Sequence, residues 1–276
     1  MALIVVAGKG GVGKTTVSVG LARMLQVQET DFLFIDADPV GQTQRLLEAR
    51  PGQTVAEAAD SLGDSEGLVS EGLKYADVQR LIHPLPDGGH VLSMGHVTTP
   101  GCFCRLNALT GAVIGMAVRR FGLVIMDAEA GLEHITRGTG CHATRLLLIC
   151  DESRVAFDVA ADILKTVRAL GENGHQRLNG TVHLGVFLRE SGTRGAVNGV
   201  AASLQLPQPR FLPYSRQIAV SNLVGLSFPK YNADDPFFDG LFGWVVADGL
   251  LVPAPPAEEA PEPVGAGADV TVAQRA

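Results

Sequence analysis

The stretch Gly8-Lys9-Gly10-Gly11-Val12-Gly13-Lys14-Thr15-Thr16 directly follows the apolar run Ala2–Ala7. It fits the phosphate-binding template of glycine, four residues and then Gly-Lys-Thr, in the position between a strand and a helix where that template works. Glycines let the backbone wrap closely around a phosphate, while the loop N–H groups and the positive end of the next helix hold the anion. We therefore expect a nucleoside triphosphate to bind the whole loop: Gly8, Gly10, Gly11, Val12, Gly13, Lys14, Thr15 and Thr16.

Three side chains of this loop have specific expected roles. Lys14 would reach the β- and γ-phosphates, and the Thr15 hydroxyl would ligate Mg²⁺. The second lysine, Lys9, is not needed for simple phosphate binding. The string KGGVGKTT resembles the deviant phosphate-loop class of dimeric ATPases, which includes the Min- and Par-type proteins, nitrogenase iron protein and metallocentre chaperones. In that class this lysine crosses to the partner's nucleotide, so the resemblance implies a homodimeric ATPase with catalytic Lys9 and Lys14.

Strands and helices alternate along the chain, which predicts an α/β fold with a mostly parallel sheet flanked by helices. Continuous apolar runs are typical of parallel strands that are covered on both faces. The predicted strands are Ala2–Ala7, Phe32–Asp36, His90–Met94, Leu123–Asp127, Arg145–Cys150, Val182–Leu188 and a short Phe211–Leu212. The predicted helices are Lys14–Val27, Val55–Leu62, Tyr75–Ile82, Leu106–Arg120, Val155–Leu170, Val197–Leu204, Gln217–Val224 and Pro236–Leu251.

Composition separates one ATPase domain, residues 1–251, from a tail, residues 252–276. The tail is rich in proline, alanine and glutamate and cannot bury enough apolar surface to fold, so we expect it to be disordered. The apolar segment before it has Asp239 and Asp248 as its polar residues, not the basic residues of a membrane anchor. A terminal helix packed on the sheet is the better interpretation.

Charge and targeting features exclude several classes of protein. The net charge of −7 argues against a nucleic-acid partner, which requires a basic surface. Four cysteines are too few for a disulfide-stapled secreted domain. The chain starts directly with an apolar strand, and no apolar run approaches the roughly 20 residues that span a bilayer. We expect a cytoplasmic protein with no membrane partner.

Two further strands of the predicted sheet end in aspartate near the phosphates. Asp36 is followed by Asp38, and Asp127 ends an apolar strand of the Walker B form. Carboxylates in such positions hold Mg²⁺ through water or orient the attacking water. The resemblance implies that Asp38 positions that water as a catalytic residue, that Asp36 and Asp127 support the magnesium, and that Gly131 senses the γ-phosphate.

Cys102 and Cys104 form a Cys-x-Cys pair whose thiols share one face if the backbone is extended. Two such pairs across a two-fold axis would supply four sulfurs, suited to tetrahedral Zn²⁺ or to a thiolate-bound nickel or copper ion. Taken alone, the pair is equally compatible with two small buried hydrophobic residues.

A more specific resemblance rests on several motifs together. Gly101-Cys102-Phe103-Cys104, with Asn107-Ala108-Leu109, and the stretch from Asp127 to His134 (DAEAGLEH) resemble the carbon monoxide dehydrogenase accessory ATPases of the CooC type. The resemblance implies ATP, Mg²⁺ and Ni²⁺ (or Zn²⁺) as ligands and a client nickel enzyme. It also places Arg189, by alignment, at the base-reading position, where relatives usually carry an asparagine that reads adenine; an arginine there can still stack on a purine. The resemblance places Pro213 at the base pocket.

Three other functions stay open at this point. A positioning or partitioning ATPase of the Min or Par type would require a basic surface or a basic anchor helix, and neither is visible in the sequence. An iron–sulfur scaffold or electron-donating ATPase would place its cysteines differently. A maturation ATPase for another nickel enzyme is fully compatible with the motifs.

Overall fold

The computed structural model describes residues 2–38, 41–50, 52–61, 75–95, 113–117, 119–128, 143–172, 180–189 and 191–252. These residues form one eight-stranded sheet with helices around it, and the strands lie in the order β3-β4-β2-β5-β1-β6-β7-β8. The strands are β1 (Ala2–Gly8), β2 (Leu33–Asp36), β3 (Ile82–Pro84), β4 (His90–Ser93), β5 (Leu123–Asp127), β6 (Arg145–Cys150), β7 (Thr181–Leu188) and β8 (Pro209–Pro213). All neighbouring pairs are parallel except β3 with β4.

Helices connect the strands and cover the sheet. They are α1 (Lys14–Val27), α2 (Thr43–Leu46), α3 (Val55–Ser61), α4 (Tyr75–Gln79), α5 (Arg154–Glu172), α6 (Arg194–Ser203), α7 (Arg216–Leu223) and α8 (Pro236–Asp248). Residues 113–117 and 119–120 are also helical. The predicted α/β class with a mostly parallel sheet is confirmed.

Strand β1 lies at the centre of the sheet, between β5 and β6. All seven of its residues are buried, as the continuous apolar run predicts for a strand covered on both faces. The parallel order brings the carboxyl ends of β2, β5, β1, β6, β7 and β8 to one edge of the sheet. In open parallel sheets, ligands bind at that edge. We call it the carboxyl edge.

The region between residues 41 and 89 differs most from the sequence prediction. The helix predicted over Tyr75–Ile82 ends at Gln79, and Ile82 begins the antiparallel strand β3, which the sequence analysis missed. The chain reverses through Gly88 and Gly89, whose positive φ angles of 100° and 79° suit glycine. A three-residue edge strand that ends in proline carries too weak a period-2 signal to be found from sequence.

Helix α8 packs on the sheet, as expected for the apolar segment before the tail. Phe237, Leu241 and Trp244 are buried, and the Phe237 ring lies so close to Gly20 of α1 that an added Cβ there would be 2.8 Å from it. In the part of the chain that the structure describes, no helix has both the length and the apolar character required to cross a bilayer. The predicted disordered tail lies outside the described residues from position 253 onward.

The start of α8 is fixed by a pair of linked caps. The Asp235 carboxylate accepts a hydrogen bond from the Phe237 N–H at 2.9 Å and another from the Ser215 hydroxyl at 2.5 Å. Ser215 in turn caps α7 by accepting from the Ile218 N–H at 3.1 Å. One buried carboxylate therefore stabilises the starts of two helices.

We predict that Asp235→Ala lowers the free energy of unfolding by about 1–3 kcal/mol, because it removes a cap and leaves the buried Ser215 hydroxyl without this acceptor. Urea denaturation measures the change. Asp234→Ala, at the exposed neighbouring position, is the matched control and should change the free energy of unfolding by no more than about 0.5 kcal/mol. Equal effects of the two substitutions would contradict the linked-cap interpretation.

Candidate functional site

Residues of β6 and β7, on one side of β1, restrict the shape of the phosphate loop. Gly8 has φ 149°, and an added Cβ would lie 2.3 Å from the Ile149 carbonyl oxygen of β6. Gly13 has φ 98°, and an added Cβ would lie 2.6 Å from the Phe187 ring of β7. Both positions therefore require glycine, for reasons of space as well as of backbone conformation. The loop ends where α1 begins at Lys14, so that the helix N-terminus faces it.

Both lysines of the loop fold back over its backbone. The Lys14 ammonium donates a hydrogen bond to the Lys9 carbonyl oxygen at 3.3 Å. The Lys9 ammonium lies 3.5 Å from the Gly10 carbonyl oxygen, and its side chain is half-buried. Two positive charges therefore lie on a loop that can hold an anion through its N–H groups.

Asp127, at the end of β5, is held by two hydroxyl groups of α1. The Thr15 hydroxyl donates to one carboxylate oxygen at 2.6 Å, and the Ser18 hydroxyl lies 3.0 Å from the other. The sequence analysis missed Ser18. Helical spacing could have indicated Ser18, because residues three apart on a helix lie on one face and Thr15 was already a candidate magnesium ligand.

Asp36 organises the segment that carries Asp38. Its carboxylate accepts from the backbone N–H groups of Asp38 and Thr43, each at 3.3 Å. Gly41 lies against the same carboxylate, where an added Cβ would be 2.2 Å from an oxygen. The sheet register pairs Asp36 with Asp127 on adjacent strands. Two buried carboxylates consequently end side by side at the carboxyl edge.

Burial in the protein interior raises the pKa of both carboxyl groups. The pKa of Asp36 rises to about 6, although hydrogen bonds from Thr43 and Asp38 oppose the rise. The pKa of Asp127 rises to about 7, because burial, to which repulsion from Asp36 adds, outweighs the hydrogen bonds from Thr15 and Ser18. A divalent cation beside them would compensate this buried charge, and oxygen ligands of this kind, completed by water, are the ones that Mg²⁺ prefers. The residues present therefore fit magnesium.

A cavity of about 320 Å³ opens beside these carboxylates. Its lining comes from the loop helix, the segment after β2, the end of β5 and helix α7. The lining residues are Thr15, Asp38, Gly41, Gln42, Arg45, Leu46, Asp127 and Asn222. The structure thus brings three sequence-predicted site residues, Thr15, Asp38 and Asp127, around one space.

An exposed apolar surface adjoins the cavity on helix α7 and the turn after it. It consists of Val220, Leu223, Val224 and Leu226, which are 49–85% exposed, and we call it the mouth patch. Asn222 lines the cavity from the same helix. Exposed apolar surface of this kind is typical of protein-interaction sites.

The other sequence-predicted residues of the carboxyl edge lie at the ends of β7 and β8. The register pairs Leu188 with Pro213, so Arg189 and Tyr214 follow as neighbours on adjacent strands. A hydrogen bond with the Tyr214 hydroxyl raises the pKa of the Arg189 guanidinium. The Tyr214 ring lies 5.5 Å from that of Phe187, the residue that touches Gly13. An aromatic series therefore connects the phosphate loop to Arg189.

Several predicted residues cannot be placed. Cys102, Cys104 and Gly131 lie outside the described residues. Among the residues that are described, no group of three or more histidine, cysteine, aspartate or glutamate side chains could hold a metal ion. Cys150 is fully buried and so belongs to the core, and burial raises the pKa of its thiol to about 12.

Comparison with known proteins decides the family. The model of the CobQ/CobB/MinD/ParA nucleotide binding domain matches residues 3–208. The chain belongs to this family. It is accordingly a nucleotide-binding ATPase, and its sheet and loop are those of the MinD/ParA type of P-loop fold.

Two relatives and one solved structure are similar to the chain to different degrees. An uncharacterized ATP-binding protein of Methanocaldococcus jannaschii is 26% identical over 236 residues, covering 83% of this chain and 90% of that relative. The carbon monoxide dehydrogenase accessory protein CooC of Rhodospirillum rubrum is 30% identical over 183 residues, covering 61% and 70%. The crystal structure of a ParA family ATPase from Chlorobium tepidum superposes with a TM-score of 0.67 at 16% identity, covering 89% and 98%.

We predict that Asp127→Asn raises the free energy of unfolding of the nucleotide- and magnesium-free protein, and that the gain increases from pH 5 to pH 8. The folded protein holds the Asp127 proton up to its raised pKa of about 7, whereas the unfolded chain releases it near the ordinary aspartate pKa of 3.8. The folded state therefore binds more protons across this window, and the parent loses stability there as pH rises. The asparagine side chain at position 127 does not titrate, so the variant does not lose this part of its stability as the pH rises.

Chemical denaturation of parent and variant at several pH values measures the difference. Asp234→Asn changes an exposed aspartate in the same way and should show no such trend. A gain for Asp127→Asn that is constant between pH 5 and pH 8 would show that burial does not shift this carboxyl group.

Proposed function

We propose that this ATPase is a metallochaperone that forms a homodimer around nucleotide and assists nickel insertion into carbon monoxide dehydrogenase. The observation that carries the proposal is the combination of Gly101-Cys102-Phe103-Cys104 with the DAEAGLEH stretch after β5. It is supported by the 30% identity to CooC, which is described as a carbon monoxide dehydrogenase accessory protein.

The connectivity of the sheet supports a link between the two cysteines and the nucleotide. The β4 strand ends at Ser93, which is paired with Asp36 on β2. The Met94 N–H donates to the Asp36 carbonyl oxygen at 2.9 Å, and the Gln44 amide donates to the Ser93 hydroxyl at 2.9 Å. The chain thus leaves β4 beside Asp36, and Cys102 and Cys104 follow shortly afterwards in the sequence.

For hydrolysis, we assign each residue at the loop a role that its position permits. Lys14 neutralises charge on the β- and γ-phosphates, and the loop N–H groups bind the remaining oxygens. Thr15 would ligate Mg²⁺, with Asp36 and Asp127 acting through water, and the ion supplies further charge neutralisation. Asp38, at the cavity wall, orients the attacking water.

Two surface features support a homodimer. The Lys9 ammonium lies 3.5 Å from the Gly10 carbonyl oxygen, and its charge also acts on Asp151. The side chain is only half-buried, so a second chain could contact it from outside the loop. The mouth patch provides apolar surface next to the cavity, where two copies that share nucleotide would meet.

A positioning or partitioning ATPase is the second candidate, supported by a family that includes MinD and ParA and by the fold of the Chlorobium ParA family ATPase. The net charge of −7 disfavours its DNA-binding form. An accessory role for another nickel or iron–sulfur enzyme shares every feature of the leading proposal except the client.

We predict that Lys9→Ala retains ATP binding but loses ATP-dependent dimerisation, because the residue would act across the interface. Light scattering of the parent and of the Lys9→Ala variant, each with Mg²⁺ and ATP, measures the dimer fraction. Lys230→Ala, an exposed lysine away from the loop, is the control and should dimerise as the parent does. Identical dimer fractions for Lys9→Ala and the parent would remove the cross-interface role.

We predict that the dimer binds one Ni²⁺ or Zn²⁺ ion, or half an ion per chain, and that Cys102→Ser or Cys104→Ser abolishes high-affinity uptake. Each substitution removes two symmetry-related thiolates at once and leaves harder hydroxyl ligands. Equilibrium dialysis with and without ATP measures the stoichiometry. Cys150→Ala is the matched control, since its thiol is fully buried in the core and donates a hydrogen bond to the Ala156 carbonyl oxygen at 3.4 Å.

The same dialysis separates the two candidate functions. Metal uptake that is unchanged in Cys102→Ser would contradict the metallochaperone proposal. Tight binding of duplex DNA by the ATP-bound parent, together with absent metal uptake, would favour the partitioning function.

A further inference from the structure

We propose that the base pocket at the ends of β7 and β8 accepts guanine at least as well as adenine, with Arg189 as its specificity-determining residue. The proposal rests on the nucleotide site described above and deepens it by naming the class of nucleotide.

The polarity of the carboxyl edge fixes where the base must lie. The phosphate loop follows β1, and the residues that fit magnesium, Asp36 and Asp127, end β2 and β5 on one side of it. Since the metal binds the terminal phosphates, the ribose and base extend to the other side, toward β6, β7 and β8. Neighbouring strands are about 4.8 Å apart, so the end of β7 lies about 10 Å and the end of β8 about 14 Å from β1.

Arg189 and Tyr214 occupy that position. They directly follow Leu188 and Pro213, which the register pairs on β7 and β8, and both side chains are exposed at the carboxyl edge. Phe187 supports the Tyr214 ring and also touches Gly13 of the phosphate loop. A planar guanidinium and an aromatic ring thus lie beside each other, and Phe187 connects them to the phosphate loop. Both groups can stack on a purine ring or contact its edge.

The donor chemistry of Arg189 favours guanine over adenine. Arginine carries five N–H donors and no acceptor, so it cannot accept a hydrogen bond from the adenine 6-amino group. Guanine instead presents O6 and N7, two acceptors at a spacing that one guanidinium satisfies together. The Glu152 carboxylate, which accepts a hydrogen bond from the Thr193 hydroxyl at 2.6 Å, adds negative charge that acts on the Arg189 guanidinium.

Arginine and asparagine provide opposite tests at this position. An asparagine amide accepts from the adenine 6-amino group and donates to N7, so it suits adenine. Arg189→Asn should therefore reverse the preference without touching the phosphate loop. Arg194→Asn is the matched control, because Arg194 is an exposed arginine that contacts the Phe211 ring and not the Tyr214 hydroxyl.

The experiment measures equilibrium binding by isothermal titration calorimetry, with Mg²⁺ and the slowly hydrolysed analogues of ATP, GTP and ITP. We expect the parent and Arg194→Asn to bind the GTP analogue with affinity equal to or higher than that for the ATP analogue. Arg189→Asn should shift the GTP-to-ATP affinity ratio toward ATP by about tenfold. ITP has O6 and N7 but lacks the 2-amino group, and its affinity for the parent should follow that of GTP.

A parent that binds the ATP analogue more than tenfold tighter than the GTP analogue would overturn the proposal, as would an unchanged ratio in Arg189→Asn. An ITP affinity at or below that of ATP would also overturn it, because the O6 and N7 edge would then not be read. These measurements involve neither nickel nor Cys102, so a negative result would not contradict the metallochaperone proposal. Likewise, a negative result in the metal dialysis would not contradict the proposed nucleotide preference.

Discussion

The pair of buried carboxylates at the ends of β2 and β5 is the constraint on which the site depends. Asp36 and Asp127 are adjacent because parallel strands end at the same edge, and their like charges oppose ionisation in a buried place. The hydroxyl groups of Thr15 and Ser18 and the backbone of Thr43 hold them by hydrogen bonds, and the charge of Lys14 offsets part of the repulsion at Asp127. An arrangement of this kind is costly without a cation and becomes favourable when one binds. Binding of a divalent cation at this pair, as proposed for magnesium, would therefore be coupled to ionisation of the two carboxyl groups.

The order of the strands gives the nucleotide site a direction. The proposed magnesium residues Asp36 and Asp127 lie on one side of β1, and the Phe187, Tyr214 and Arg189 groups lie on the other. Gly8 and Gly13 are both pressed against this second side, one at Ile149 of β6 and the other at Phe187 of β7. If the base binds at Arg189 as proposed, changes there can alter nucleotide preference while the groups around the phosphates stay the same.

Sequence alone was sufficient where local pattern and chemistry coincide. The bounds of Lys14–Val27, the strands Leu123–Asp127 and Arg145–Cys150 and the parallel fold were all predicted correctly. The pairing of Thr15 with Asp127 follows from the motif, but its extension to Ser18 depends on how close α1 approaches β5. Strand β3 and the short helix α2 were missed, because each has fewer than five residues and owes its conformation to tertiary hydrogen bonds, not to periodicity.

Arg23 was also beyond sequence reasoning, and it explains how the site is joined to the rest of the molecule. It is 1% exposed in the middle of α1, where an arginine is normally assigned to the solvent face. Its guanidinium donates to the carbonyl oxygens of Leu46 at 3.2 Å and Phe228 at 2.9 Å, two residues nearly two hundred positions apart. A local sequence pattern cannot indicate hydrogen-bond acceptors so far apart in the chain.

These contacts tie the segment after Asp36 to the segment below the mouth patch. The Phe228 N–H donates to the Leu46 carbonyl oxygen at 2.9 Å, and Arg45, which lines the cavity, donates to the Leu226 carbonyl oxygen at 2.9 Å. Helix α2 and the turn that carries Leu226 are thus held together by several hydrogen bonds, one of them through a buried charge that cannot lose its partners cheaply. A nucleotide that shifts Asp38 and α2 must either break this connection or move the exposed apolar surface with it. Breaking it would take the Leu46 and Phe228 acceptors from the Arg23 guanidinium and leave it with Gln26, Glu48 and Asp87. Movement of the surface together with α2 keeps all of these contacts, so it is the less costly response, and it gives the cavity a physical route to the mouth patch.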